Sequence, residues 1–172
     1  MKKIKAYLLG DKIVTNDSLA QTLYQKSCFG EPISEKIRYS LSEAMFLVEK
    51  KVLEIWSPKR KLTSEELFKK FKRIDKKFPT KYAVFKDLRK KGYIVKTALK
   101  FGADFRVYEK GKKPKQTHSK WIVFTDTEQG KIDWKNFAAK NRIAHSTRKK
   151  LLIAIVDEEE AVTYYEVDWI KP

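Results

Sequence analysis

His118 and His145 are the only imidazoles in this chain, and Cys28 is its only thiol. That inventory excludes zinc held by several thiolates and any histidine-rich metal centre, because both need more nitrogen and sulfur donors than are present. Cys28 reads as a small buried hydrophobe rather than a nucleophile. The sequence has no phosphate-cradling P-loop, no GxGxxG after a strand and no HExxH. Asp104, Asp126 and Asp157 could meet around magnesium, but their spacing forms no recognisable signature.

The remaining residue types can move protons without a metal or cofactor. RNA suits such chemistry, since its 2′-hydroxyl can attack the adjacent phosphorus and leave a cyclic phosphate and a 5′-hydroxyl. The reaction needs a base at the 2′-oxygen, an acid at the departing 5′-oxygen and a cation beside the phosphorane. Histidine is the natural acid near neutral pH, and Lys or Arg suits the cation. Several side chains could serve as base, including a tyrosine whose pKa is lowered from about 10 by cationic neighbours. Residue types alone leave the choice open.

The charge balance points the same way. Thirty-nine Lys and Arg stand against 22 Asp and Glu, a net +17, which fits a polyanionic partner. A solubilising Lys-rich surface, common in heat-adapted proteins, would give the same composition. The excess is not a tail: 18 basic residues face 10 acidic ones over residues 1–78, and 21 face 12 over residues 79–172. With 42% apolar and 13% aromatic residues the chain can bury a core. It has no run of transmembrane length, and MKKIKAYLLGDK lacks a long apolar signal region. The expectation is a soluble, cytoplasmic protein without a membrane partner.

Two regions must position this chemistry. Residues 1–78 read as a small α+β domain. Ile4–Thr15 forms two strands around Gly10-Asp11, and residues 16–39 read as irregular. Capping boxes at Ser40–Glu43 and Thr63–Glu66 open two helices, with a strand over Val52–Trp56 between them. Leu67, Phe68, Phe71 and Ile74 make the second helix's apolar stripe, and Phe78-Pro79 ends it. Residues 79–172 read as a mixed α/β nuclease-sized domain with a central mixed β-sheet. A helix over Lys81–Lys91 is closed by Gly92. Strand-like runs follow at 93–99, 105–108, 121–125, 151–156 and 162–170, with a short helix around Trp134–Lys140.

The second region contains KYAVFKDLRKKGYIVKTALKFGADFRVYEKG (81–111), THS around His118 and IAHSTRKKLLIAIVD (143–157). These segments resemble, in order, the catalytic domain of archaeal tRNA-splicing endonucleases, whose pattern runs R-x-G-Y, G-x-x-F-x-x-Y, an isolated H-S, then R-K-K before a hydrophobic strand. Lys90 and Lys91 before Gly92-Tyr93 are a conservative departure. The first 78 residues resemble the family more weakly, mainly through LSEAMFLVEK (41–50). The resemblance implies Tyr108 as general base, His118 as general acid and Lys149 as transition-state stabiliser, with Lys150 its competitor. It implies Arg142 as one clamp on an extruded nucleotide and Trp169 as candidate for the second. The acidic loop Asp157-Glu158-Glu159-Glu160 would dock into a basic cleft on another subunit. The expected substrate is precursor tRNA cut at bulge–helix–bulge junctions without metal or cofactor. The expected assembly is a homotetramer, or a heterotetramer with a non-catalytic homologous subunit. The alternative is a non-catalytic or partner-dependent RNA-binding subunit.

Overall fold

The structure is a computed structural model that describes residues 2–172. Contacts divide it into two compact units, one running to Pro79 and one from Thr80 to Pro172.

The first unit holds a five-stranded mixed sheet in the order β3-β4-β2-β1-β5. Its strands are β1 (Ile4–Leu9), β2 (Lys12–Thr15), β3 (Glu31–Ile33), β4 (Lys36–Tyr39) and β5 (Leu53–Trp56). β1 pairs parallel with β5, and the other pairs are antiparallel. Alternation along β1 buries Ile4, Ala6 and Leu8 on one face, while Lys5, Tyr7 and Leu9 stay exposed. Both capping boxes form, at α2 (Leu41–Glu49) and α3 (Ser64–Ile74). The Glu43 carboxylate also accepts from the Gly30 amide at 3.0 Å, so it satisfies donors on two segments although only 3% exposed.

Two sequence expectations in this unit need correction. Residues 16–39 are not irregular: they contain α1 (Ser18–Ser27), β3 and β4. Helix α1 buries only Ala20, so its apolar periodicity is faint, and its caps define it. The Asp17 side chain accepts from the Leu19 amide, and Cys28 closes the other end in the left-handed conformation. Cys28 is itself buried. In α3, Leu67 and Phe71 are fully buried, but Ile74, in the last turn, is 43% exposed.

The second unit carries another five-stranded mixed sheet, order β10-β9-β8-β7-β6. Its strands are β6 (Ile94–Ala98), β7 (Ala103–Tyr108), β8 (Trp121–Thr127), β9 (Lys150–Val156) and β10 (Val162–Val167). Only β8 and β9 are parallel, and α5 (Trp134–Ser146) forms the crossover between them. That helix outruns the short one expected around 134–140. Asp133 caps its start by accepting from the Asn136 amide, and only Ala144 is buried, so the sequence carries little helical stripe. Helix α4 (Phe78–Lys90) starts at Phe78 rather than Lys81. Pro79 lies in its first turn, where the missing amide is tolerated, so the residue read as a stop is a start. The last strand ends at Val167, short of Ile170.

Register fixes the faces of this sheet. Val95, Val107 and Trp121 align across β6, β7 and β8, as do Lys96, Arg106, Ile122 and Leu151 on the other face. On the first face Phe85 of α4 meets Phe105, ring centroids 5.9 Å apart. On the second, Ile122, Phe124, Leu151 and Ala144 of α5 form one cluster with Ala98 and Ala103. Burying each large apolar side chain contributes about 1.5–3 kcal/mol. Among the described residues, no helix is long and apolar enough to cross a membrane.

Candidate active site

The topology of the second unit gathers three distant segments at one edge of its sheet. β7 and β8 are antiparallel, with Val107 opposite Trp121, so Tyr108 leaves β7 beside the entry to β8. β8 and β9 are parallel, with Trp121 opposite Lys150, so Lys149 enters β9 at that same edge. Backbone bonds close the arrangement: the Lys120 amide donates to the Val107 carbonyl and the Lys150 amide to the Lys120 carbonyl, both at 2.9 Å.

His118 sits in the connection between β7 and β8. An ion pair of Glu109 with Lys120 at 2.7 Å ties the two ends of that connection together. The Lys112 amide bonds the Glu109 carbonyl at 3.0 Å and the Gln116 amide bonds the Lys113 carbonyl at 2.9 Å, giving the segment local turns. His118 is exposed while Ser119 beside it is buried, so the imidazole is offered to solvent from an anchored backbone. Tyr108 differs: it is only 3% exposed.

Lys149 follows a tight exit from α5. Arg148 adopts φ +55°, its amide bonds the His145 carbonyl at 3.0 Å, and the Lys149 amide bonds the Ala144 carbonyl at 2.8 Å. This turn aims the Lys149 ammonium at the Ser119 carbonyl, 3.3 Å away and one residue from His118. The ammonium also lies 5.9 Å from the Phe101 ring centroid. Partial burial, followed by the charge of Arg106, pushes its pKa below the ordinary lysine range. Lys150 points to the other face. It pairs with Glu166 at 2.7 Å and Asp168 at 3.5 Å, and those carboxylates push its pKa up. One lysine is thus neutralised by carboxylates, and the other is directed to the histidine loop.

Arg142 is exposed on α5, one turn before His145. Trp169 is 55% exposed and stands edge-on to the His145 ring at 4.2 Å, so both clamp candidates border the same helix face. Residues 157–160 form the β9–β10 hairpin turn. The Asp157 carboxylate accepts from the amides of Glu159 and Ala161, each at 2.9 Å, while Glu158, Glu159 and Glu160 are exposed. Asp104 accepts from the Thr125 amide and hydroxyl at 2.8 and 2.9 Å, Asp126 accepts from the Thr127 amide at 2.8 Å, and Asp157 caps its own turn. Among the described residues, no three His, Cys, Asp or Glu side chains form a group able to hold a metal ion.

Arg106 and Phe101 escaped the reading of the sequence. The available signal was alternation along β7, which puts Arg106 on the same face as Tyr108 two residues later.

Two family models match this chain: the tRNA intron endonuclease N-terminal domain over residues 4–68, and the tRNA intron endonuclease catalytic C-terminal domain over residues 78–164. The second range contains Tyr108, His118 and Lys149. The chain is 44% identical to a tRNA-splicing endonuclease of Pyrococcus abyssi over 173 residues, covering 99% of each protein. It is 43% identical to one of Thermococcus kodakarensis, over 96% of this chain and 97% of the relative. A tRNA-splicing endonuclease of Nanoarchaeum equitans is 46% identical over 77% of this chain and 88% of its own length. A two-domain α+β architecture with an endonuclease-type catalytic domain is therefore the class. The chain belongs to the tRNA intron endonuclease family.

Proposed function

We propose that this chain excises introns from precursor tRNA by cutting at bulge–helix–bulge junctions, as a metal-independent RNA lyase. The observation that carries the reading is the Lys149 ammonium held 3.3 Å from the Ser119 carbonyl, adjacent to the exposed His118. That arrangement offers an acid and a cation to one phosphate at an edge where the backbone also delivers Tyr108.

In the proposed step Tyr108 takes the proton of the 2′-hydroxyl, whose oxygen attacks phosphorus. The P–O5′ bond breaks, and His118 supplies the proton that makes the leaving group a 5′-hydroxyl. Lys149 offsets the charge developing on the non-bridging oxygens, where one well-placed donor contributes roughly 2.7–4 kcal/mol. The products are a 2′,3′-cyclic phosphate and a 5′-hydroxyl. Arg142 and Trp169 would hold an extruded base, since unpaired bases are what proteins read in structured RNA. The first unit would supply assembly surface and basic RNA contacts. The hairpin at 157–160 would dock on a basic cleft of another subunit, giving a homotetramer or a heterotetramer.

The test is cleavage of a bulge–helix–bulge RNA in excess chelator, with analysis of the product ends. Cyclic-phosphate ends, loss of cutting in His118→Ala and loss of cutting when the 2′-hydroxyl at the junction is replaced by hydrogen are expected. Cleavage of the deoxy substrate, or full activity of His118→Ala, would refute the mechanism.

A further inference from the structure

Arg106 occupies an expensive position that packing does not explain. It projects from the middle of β7 on the face that Tyr108 shares, directly across from Lys96 of β6, itself only 5% exposed. Like charges opposed across a strand pair are destabilising. The Arg106 Nε is buried and has no hydrogen-bond partner. Among the described residues no carboxylate forms an ion pair with its guanidinium. A buried, unsatisfied donor on a charged group carries a desolvation penalty that native structures rarely accept without a ligand or a functional reason.

The surroundings indicate what would satisfy it. Arg106 and Phe101 line one solvent-accessible cavity of about 190 Å³, with Thr97, Leu99 and Lys100 on its walls. Phe101 is also the ring approached by the Lys149 ammonium, at 5.9 Å. Phe101 is thus shared by the cavity and the Lys149 ammonium, and partial burial, followed by the charge of Arg106, lowers the Lys149 pKa. An anion bound beside Phe101 would relieve that repulsion and supply an acceptor for the unpartnered Arg106 Nε. A guanidinium fork matches phosphate oxygens in geometry as well as in charge.

We propose that Arg106 binds the scissile phosphate together with Lys149, as the second cation of the site. This inference rests on reading that sheet edge as the place of RNA cleavage. It adds a phosphate-binding residue outside the Tyr108, His118 and Lys149 set. Arg106 touches the non-bridging oxygens, while Lys149 meets them from the histidine side.

The test measures binding rather than cutting, so it can fail independently of the proposed reaction. The full-length protein is titrated with a bulge–helix–bulge RNA carrying a 2′-deoxy residue at the junction, with either a normal phosphate or a neutral methylphosphonate there. The wild-type protein should bind the methylphosphonate roughly 10-fold to 100-fold more weakly, the range for losing hydrogen bonds to a charged group. In Arg106→Gln that penalty should shrink several-fold, and the salt dependence of binding to the normal RNA should become shallower by about 0.7–0.9 in log–log slope. An unchanged penalty in Arg106→Gln, or equal affinity of the wild-type protein for both RNAs, overturns the proposal. Should Arg106→Gln fail to fold, Lys149→Gln provides the second measurement with Arg106 intact. A residual methylphosphonate penalty there supports the inference, and its complete loss overturns it. A protein that shows the coupled penalty yet leaves no cyclic-phosphate ends would retain the binding residue and lose the reaction.

Discussion

Replacing Lys149 and Lys150 by glutamine, one at a time, should separate activity from stability between adjacent residues. Lys150 holds Glu166 at 2.7 Å, and both side chains are about 40% exposed. A surface pair of that kind is weak because solvent and salt screen both charges, so its loss should lower the Tm by roughly 2–4 °C at most. Lys150→Gln should therefore melt slightly earlier and cut RNA within a few-fold of wild type. Lys149 forms no such pair. Its ammonium is partly buried beside Arg106, and its pKa is lowered, so the folded protein gains nothing from its charge. Lys149→Gln should melt at or above the wild-type temperature while losing roughly 10²–10³ in single-turnover rate, the loss expected for one transition-state donor. The measurements are cleavage at saturating enzyme and thermal unfolding followed by circular dichroism. Equal loss of rate in the two variants would refute the assignment of the cation from side-chain direction.

Three further outcomes concern the fold. The Arg60 guanidinium and the Thr63 amide hold the Glu66 carboxyl down at about 2. Its contribution is thus complete above its ordinary value near 4.5 and disappears as pH falls toward about 2. Urea midpoints of Glu66→Gln should vary less than those of wild type between about pH 5 and about pH 2.5, and parallel curves would exclude this role. Phe85→Ala removes a fully buried ring packed on Phe105 and should cost about 3–5 kcal/mol in denaturant unfolding; a loss under about 1 kcal/mol would mean the site collapses freely. Gly92 has φ +90° with open space around it, so Gly92→Ala should cost about 1–2 kcal/mol through backbone strain alone. Calorimetry would detect that loss, and an unchanged Tm would contradict it.

The two capping boxes and the Gly92 stop were legible because each is a local pattern with a local cause. Ser40 and Glu43, or Thr63 and Glu66, satisfy each other's backbone donors whatever lies elsewhere. Helices α1 and α5 were not legible in full, since each buries a single alanine and leaves no apolar stripe to read. Pro79 misled because the same residue that stops a helix interior can occupy a first turn. At the site, residue types and the family pattern singled out candidates, but chain order alone could not distinguish Lys149 from Lys150. That distinction depends on the β9–β10 register, which sets Leu152 opposite Glu166 and brings the carboxylate within reach of Lys150. Arg106 stayed hidden for a similar reason: its lack of a partner is a property of three dimensions.

The parallel pairing of β8 with β9 has a consequence for when the proposed site is assembled. Residues 118–120 and residues 149–150 adjoin only after α5 has crossed over and the Lys150 amide has found the Lys120 carbonyl. A nascent chain still threading through the ribosome, or a fragment truncated before β9, carries the tyrosine and the histidine but has nothing to meet them. On the proposed mechanism, RNA cleavage would thereby wait until β9 has been made and paired with β8.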